Sequence, residues 1–159
     1  MKSDKAPLKV EQIEAQFRTQ YPTYQYHFVE FFTEHLADCS RAFGGDLHLM
    51  LVLALMGQMH LQAIVAQKQN PDHWAQSVRD QEITASRIAD ASGIPRETVR
   101  RKLAKLAELG WVEQEGSGAW RLIIDQQGSK ARRDLAELDQ RAMARIAIFY
   151  HKLQSIMTS

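Results

Sequence analysis

The stretch SGIPRETVRRKLAKLAELGWV, Ser92 to Val112, constrains this chain more than any other. A proline stands at its opening and a glycine near its close, and both are boundary signals of a helix. Between them Val99, Leu103 and Leu106 fall on one helical face, while Glu97, Arg101 and Ala104 point the opposite way. A helix this short with a single apolar stripe gains most of its stability from packing on neighbours. It therefore has to be one part of a small helical unit. Five of its side chains are basic, in a chain whose formal net charge is only +1. Residues 1–82 carry an acidic excess, so the positive charge is concentrated in this segment. A basic helix face is what a reader of nucleic acid requires, although solvated helix faces carry similar runs.

The flanking sequence supplies the neighbours. Val10, Ile13 and Phe17 share a face, predicting a helix over 8–20. Tyr24, Phe28, Phe31, Leu36 and Cys39 predict a second helix that ends near Gly44-Gly45. Asp46 suits the N-cap of a third helix over 47–67, apolar on nearly all sides, as a central or oligomer-facing helix is. Residues 69–81, with Asn70-Pro71, predict a loop or short helical connection. Thr84 caps a short helix over 85–91, and Ser92-Gly93-Ile94 breaks it, with Gly93 where the turn needs a positive φ. Two strands, 111–115 and 119–124, follow the basic helix, with Gly116-Ser117-Gly118 as the hairpin turn. Gln127-Gly128-Ser129 leads into a last helix over about 130–157. Its seam is Leu135, Leu138, Ala142, Ile146, Phe149, Leu153 and Ile156.

Helix, tight turn, helix and hairpin, in that order, spell a mainly α fold: a winged helix-turn-helix with a two-stranded wing, flanked by N- and C-terminal helices. The organisation expected is a helical region over 1–80, a DNA-binding region over 81–126 and a dimerisation helix over 127–159. In such a motif the N-terminal end of the second helix enters the major groove. Arg96 stands at that end; arginine pairs bidentately with guanine, and a glutamate such as Glu97 accepts from cytosine. Thr98, Arg100, Lys102 and Lys105 suit phosphates, and Arg121 on the second strand suits the wing. The expected partner is double-stranded DNA.

The segment ITASRIADASGIPRETVRRKLAKLAELGWV also resembles the helix-turn-helix of the Crp/Fnr regulators. The matching residues are Arg96-Glu97-Thr98-Val99, Arg101, Leu103, Leu106 and Gly110. The resemblance implies base contacts by Arg96, Glu97 and Arg101. The same skeleton occurs in GntR-type readers. Residues 1–80 read as helical, without a β-rich nucleotide-binding roll, so cyclic-nucleotide binding is not implied. The whole layout is similar to the MarR family, which implies a homodimer made by the terminal helices.

Surface also favours a dimer over a last helix that simply packs onto its own chain. The last-helix seam and the apolar N-terminal helices exceed what one small winged helix can cover, and a two-fold pair would present two readers to a palindrome with half-sites about 34 Å or a multiple apart. His27, Phe31, His35 and Cys39 recur every four residues, with Glu34 and Asp38 adjacent; packing is the ordinary reading, metal sensing the sharper one. A redox role for Cys39, effector-pocket roles for His48, His60 or the aromatic stretch 21–32, and an unknown small-molecule effector are the other options weighed. No cofactor is called for. Neither a phosphate loop nor a nucleophile motif in a fitting context is visible, so an enzyme is not expected. Residues 1–9 are polar, and the run 47–65 carries His and Gln, so neither reads as a leader or a membrane span and a cytoplasmic protein is expected. The rival function is a winged helix that holds a protein partner, such as a replication or assembly factor, without reading sequence.

Overall fold

The computed structural model describes residues 9–69 and 82–158; the loop expected over 69–81 lies almost wholly outside them. The chain divides into two compact units, one formed by residues 39–136 and the other by 1–38 with 137–159.

In the first unit the helices are α3 (Leu47–Gln69), α4 (Ala85–Ser92) and α5 (Arg96–Glu108). A hairpin follows, β1 (Val112–Gln114) with β2 (Trp120–Leu122). A smaller hairpin, β3 (Ile124–Asp125) with β4 (Gly128–Ser129), leads into the short helix α6 (Lys130–Asp134). Helix α3 begins where Asp46 caps it, its Oδ1 accepting the Leu49 N–H at 3.0 Å. Thr84 does the same for α4 through the Arg87 N–H. The core is built where the sequence pattern puts it. Leu49, Val52, Leu53 and Met56 of α3 are buried, as are Ile88 of α4 and Val99, Leu103 and Leu106 of α5. Helix α5 packs on both α3 and α4. Together with the hairpin this is a winged helix-turn-helix, with α3 as its first helix.

Helix α3 is not buried all round. Leu47, Leu61, Ile64 and Val65 remain exposed, and the window Leu47–Ala66 has a mean hydropathy of 1.8 with only 22% of it buried. By length and composition alone it could cross a membrane; its N-terminal half is instead committed to the winged-helix core.

In β1–β2 the pairing is antiparallel, with Val112 opposite Leu122 and Gln114 opposite Trp120. A third element escapes sequence reading: Ile83 bridges Trp120, whose N–H donates to the Ile83 carbonyl at 2.8 Å. The second hairpin is likewise new; the Gln127-Gly128-Ser129 signal marks its turn as well as a helix start. The last helix is not continuous from 130. Leu135 (φ −101°, ψ 16°) leaves the helical path, so α6 ends at Asp134 and a separate helix begins at Ala136. Asp134 is tied on the spot, accepting the Trp111 indole N–H at 2.8 Å and the Lys130 ammonium at 2.5 Å. The Lys130 hydrogen bond, then that of Trp111, hold its carboxyl below the usual range.

The second unit consists of α1 (Val10–Thr19), most of α2 (Tyr21–Ala42) and α7 (Ala136–Thr158). Rings stack along it: Phe17 on Tyr24 at 4.8 Å and Phe31 on Phe149 at 4.7 Å. The seam expected along α7 is corrected at one position. Ile146 is 53% exposed, and the residue turned inward is Arg145. Arg145 reaches Asp38 at 2.7 Å and Glu34 at 3.1 Å, and Lys152 pairs with Glu30. The acids Glu30, Glu34 and Asp38 recur every four residues on α2, so they meet successive basic residues of α7. The Asp38 hydrogen bond is the main cause that raises the Arg145 guanidinium above its ordinary pKa. A second stripe, Met143, Ile146 and Tyr150, is left exposed at helical spacing.

Candidate nucleic-acid interface

The candidate site lies in the winged-helix unit and is set up by the turn between α4 and α5. Gly93 adopts φ +71°, and the Ser92 hydroxyl donates to the Ile88 carbonyl at 2.6 Å while accepting the Ile94 N–H. Pro95 is extended at ψ 135° and stands as the N-cap of α5, one position before the first turn. A Cβ at Gly93 would meet no atom within 4 Å, so alanine there suffers only the backbone cost. Gly93→Ala is expected to lose about 1–2 kcal/mol in thermal unfolding. A variant as stable as the parent would speak against the left-handed turn.

Between α5 and the wing runs an open groove of about 750 Å³. From α5 it is lined by Arg96, Glu97, Arg100, Arg101 and Ala104. Thr84, Ala85 and Ser86 line it at the start of α4, and Gln114, Ser117, Gly118 and Trp120 from the wing. Four of the eight residues singled out from sequence therefore meet in one groove. Arg96 and Arg101 have no carboxylate partner among the described residues, so their charge is available to a ligand. Glu97 and Arg101, four residues apart on the exposed face, do not pair. Glu97 instead pairs with Arg100 at 3.4 Å, and Arg101 donates to the Thr98 hydroxyl at 3.3 Å. On an exposed helix these alternatives differ by tenths of a kcal/mol, too little for sequence to decide.

The other four residues sit outside the groove lining. Thr98 is half-buried and engaged by Arg101. Lys102 and Lys105 lie on the opposite flank of α5, at 2.7 and 3.5 Å from the Asp46 carboxylate. Arg121, on β2, faces Glu113 across the hairpin at 2.8 Å and Glu115 at 3.5 Å.

A basic face on the second helix, an open groove beside it and a hairpin along its edge fit a DNA-reading module. Residues 78–116 match the IclR helix-turn-helix domain. No curated protein and no solved structure matches the chain. The IclR-type segment takes in α4, α5 and β1, which carry most of the groove lining. It supports a DNA-binding transcription regulator. It carries the winged helix-turn-helix of the sequence reading, while the particular likenesses to Crp/Fnr and MarR proteins are not what it reports.

Gln114, Ser117 and Trp120 are groove residues that sequence reading treated only as strand or turn. Ser117 and Trp120 lie beyond the IclR-type segment, and the place of all three depends on how the wing folds back. The histidine and cysteine series on α2 forms no metal constellation: among the described residues no three His, Cys, Asp or Glu side chains group to hold an ion. His35 stacks on Phe31 at 5.9 Å, His27 lies 3.9 Å from Glu30, and Cys39 is buried.

Proposed function

We propose that this chain is a sequence-specific transcription regulator that binds a palindromic DNA site as a homodimer, in the cytoplasm. The observation that carries the reading is the groove that gathers Arg96, Glu97, Arg100 and Arg101 beside the wing. Arg96, Glu97 and Arg101 then read base edges, Thr98 and Arg100 serve phosphates and Arg121 supports the wing, while Lys102 and Lys105 are held by Asp46 on the far flank of α5.

The dimer is supported by what the second unit lacks. Ile156 is its one buried apolar side chain among the described residues, yet Tyr21, Phe32, Met143, Ile146 and Tyr150 are all more than half or about half exposed. Exposed apolar faces of that extent belong to contacts with another chain. The order of elements, with helices on both sides of a winged helix, supports the same terminal-helix dimer that the MarR-like layout implies.

The test is selection of bound duplexes from a random pool at about 150 mM salt, where weak surface contacts are screened. Enrichment of a palindrome is the expected result. Recovery of no motif would transfer the assignment to a winged helix that holds a protein partner. On the selected site, Arg101→Ala is expected to lose about 1–3 kcal/mol of discrimination at one base position while retaining its salt dependence. Equal losses on every sequence would mean that Arg101 contacts phosphate rather than a base.

A further inference from the structure

Asp46 joins two elements that the sequence separates by more than fifty residues. One carboxylate oxygen caps α3 through the Leu49 N–H; the other accepts the Lys102 ammonium at 2.7 Å and lies 3.5 Å from that of Lys105. Its side chain is 18% exposed, that of Lys102 23%, and that of Lys105 53%. Burial disfavours the charge on Asp46. The Lys102 hydrogen bond, the Leu49 N–H and the Lys105 charge together outweigh that effect, and its carboxyl is held below the usual range. The carboxylate is therefore ionised at neutral pH, and the two ammonium groups share it as a counter-charge.

A helix seated in a major groove is bordered by phosphates on either side. The wing stands at one flank of α5; Lys102 and Lys105, one turn apart, occupy the other. On that flank the first ligand of the two cations is not DNA but Asp46. Arg96 and Arg101, on the groove side, have no such partner among the described residues.

We propose that Asp46 is a specificity-determining residue: it withholds the charges of Lys102 and Lys105 from phosphates, so that base contacts from the groove side make up more of the binding. This rests on the DNA-reading function proposed above. A regulator with two more free cations would hold any duplex more tightly, and its preference for one sequence would shrink, because phosphate contacts carry no sequence information.

The test is Asp46→Asn in the full chain, bound to a random-sequence duplex over a series of salt concentrations. Asparagine caps a helix about as well as aspartate, so α3 keeps its N-terminus and the fold is retained. The slope of log affinity against log salt is expected to steepen by about 1–2, since each phosphate contact contributes about 0.9. Lys105→Gln provides a check that does not depend on altering the cap. In the parent it is expected to change the slope little, and in the Asp46→Asn background it is expected to remove about one unit. An unchanged slope in Asp46→Asn, in a protein whose parent binds DNA, overturns this proposal alone. Absence of salt-dependent binding by parent and variant alike overturns the DNA reading and the role of Asp46 together.

Discussion

Leu103→Ala is expected to destabilise the winged-helix unit by about 2–5 kcal/mol, the range for emptying a fully buried leucine site. Leu103 has no exposed surface, and its neighbours on the same face, Val99 and Leu106, have none either. Helix α5 rests on α3 and α4 through this face, and packed helices collapse into a void only in part. Domain stabilities are about 5–15 kcal/mol, so one substitution removes a large part of the total. For a unit of this size each kcal/mol lowers the melting temperature by about 4–8 °C. The melting temperature followed by circular dichroism should therefore fall by about 8 °C or more, and DNA binding should vanish at temperatures where the parent still binds. A loss below about 1 kcal/mol would remove Leu103 from the centre of the core.

The second large effect is expected at Arg145→Leu. Arg145 satisfies Asp38, which is only 5% exposed, and also reaches Glu34. Removing one member of a buried pair leaves the other charge without its counter-ion, at a cost of about 3–5 kcal/mol. Arg141, 3.7 Å from Asp38, offsets part of that, so a value of about 3 kcal/mol is expected. Urea unfolding at one fixed protein concentration is the measurement, because any dimer links stability to concentration. Pairing the change with Asp38→Leu should restore most of the loss, since apolar replacements for a buried ion pair are often nearly neutral. If the double variant is as unstable as the single one, the lesion is the loss of the long Arg145 stem and not of its charge.

These two residues mark the boundary of what the sequence discloses. Leu103 was legible because a threefold and fourfold recurrence of apolar residues, bounded by Pro95 and Gly110, leaves one face for the core. The caps at Asp46 and Thr84 and the left-handed Gly93 were legible for the same kind of reason: each is a local rule acting on adjacent residues. Arg145 was not. Along α7 both Ile146 and Arg145 lie within reach of the seam, and hydrophobicity alone favours the isoleucine. The acids that turn the choice toward Arg145 lie more than a hundred positions away on α2. The site divides the same way. The groove face of α5 follows from its own periodicity, whereas the capture of Lys102 and Lys105 by Asp46 depends on how α3 crosses α5. The Ile83 bridge and the two-residue strands β3 and β4 are too short to show any alternation.

The Ile83–Trp120 bridge bears on whether the reading motif can be moved between proteins. The segment that matches the IclR helix-turn-helix stops at Gly116, within the hairpin. Trp120, whose N–H meets Ile83 and whose side chain lines the groove, lies beyond that point. Leu49, Val52, Leu53 and Met56, on which α5 depends for its core, lie well before the segment begins. The part recognisable by sequence is thus smaller than the part that must be inherited together. Grafted alone into another chain, residues 78–116 would carry the groove's arginines without the helix and strand that hold them in place. Recombination that preserves this reader has to cut before α3 and after the wing.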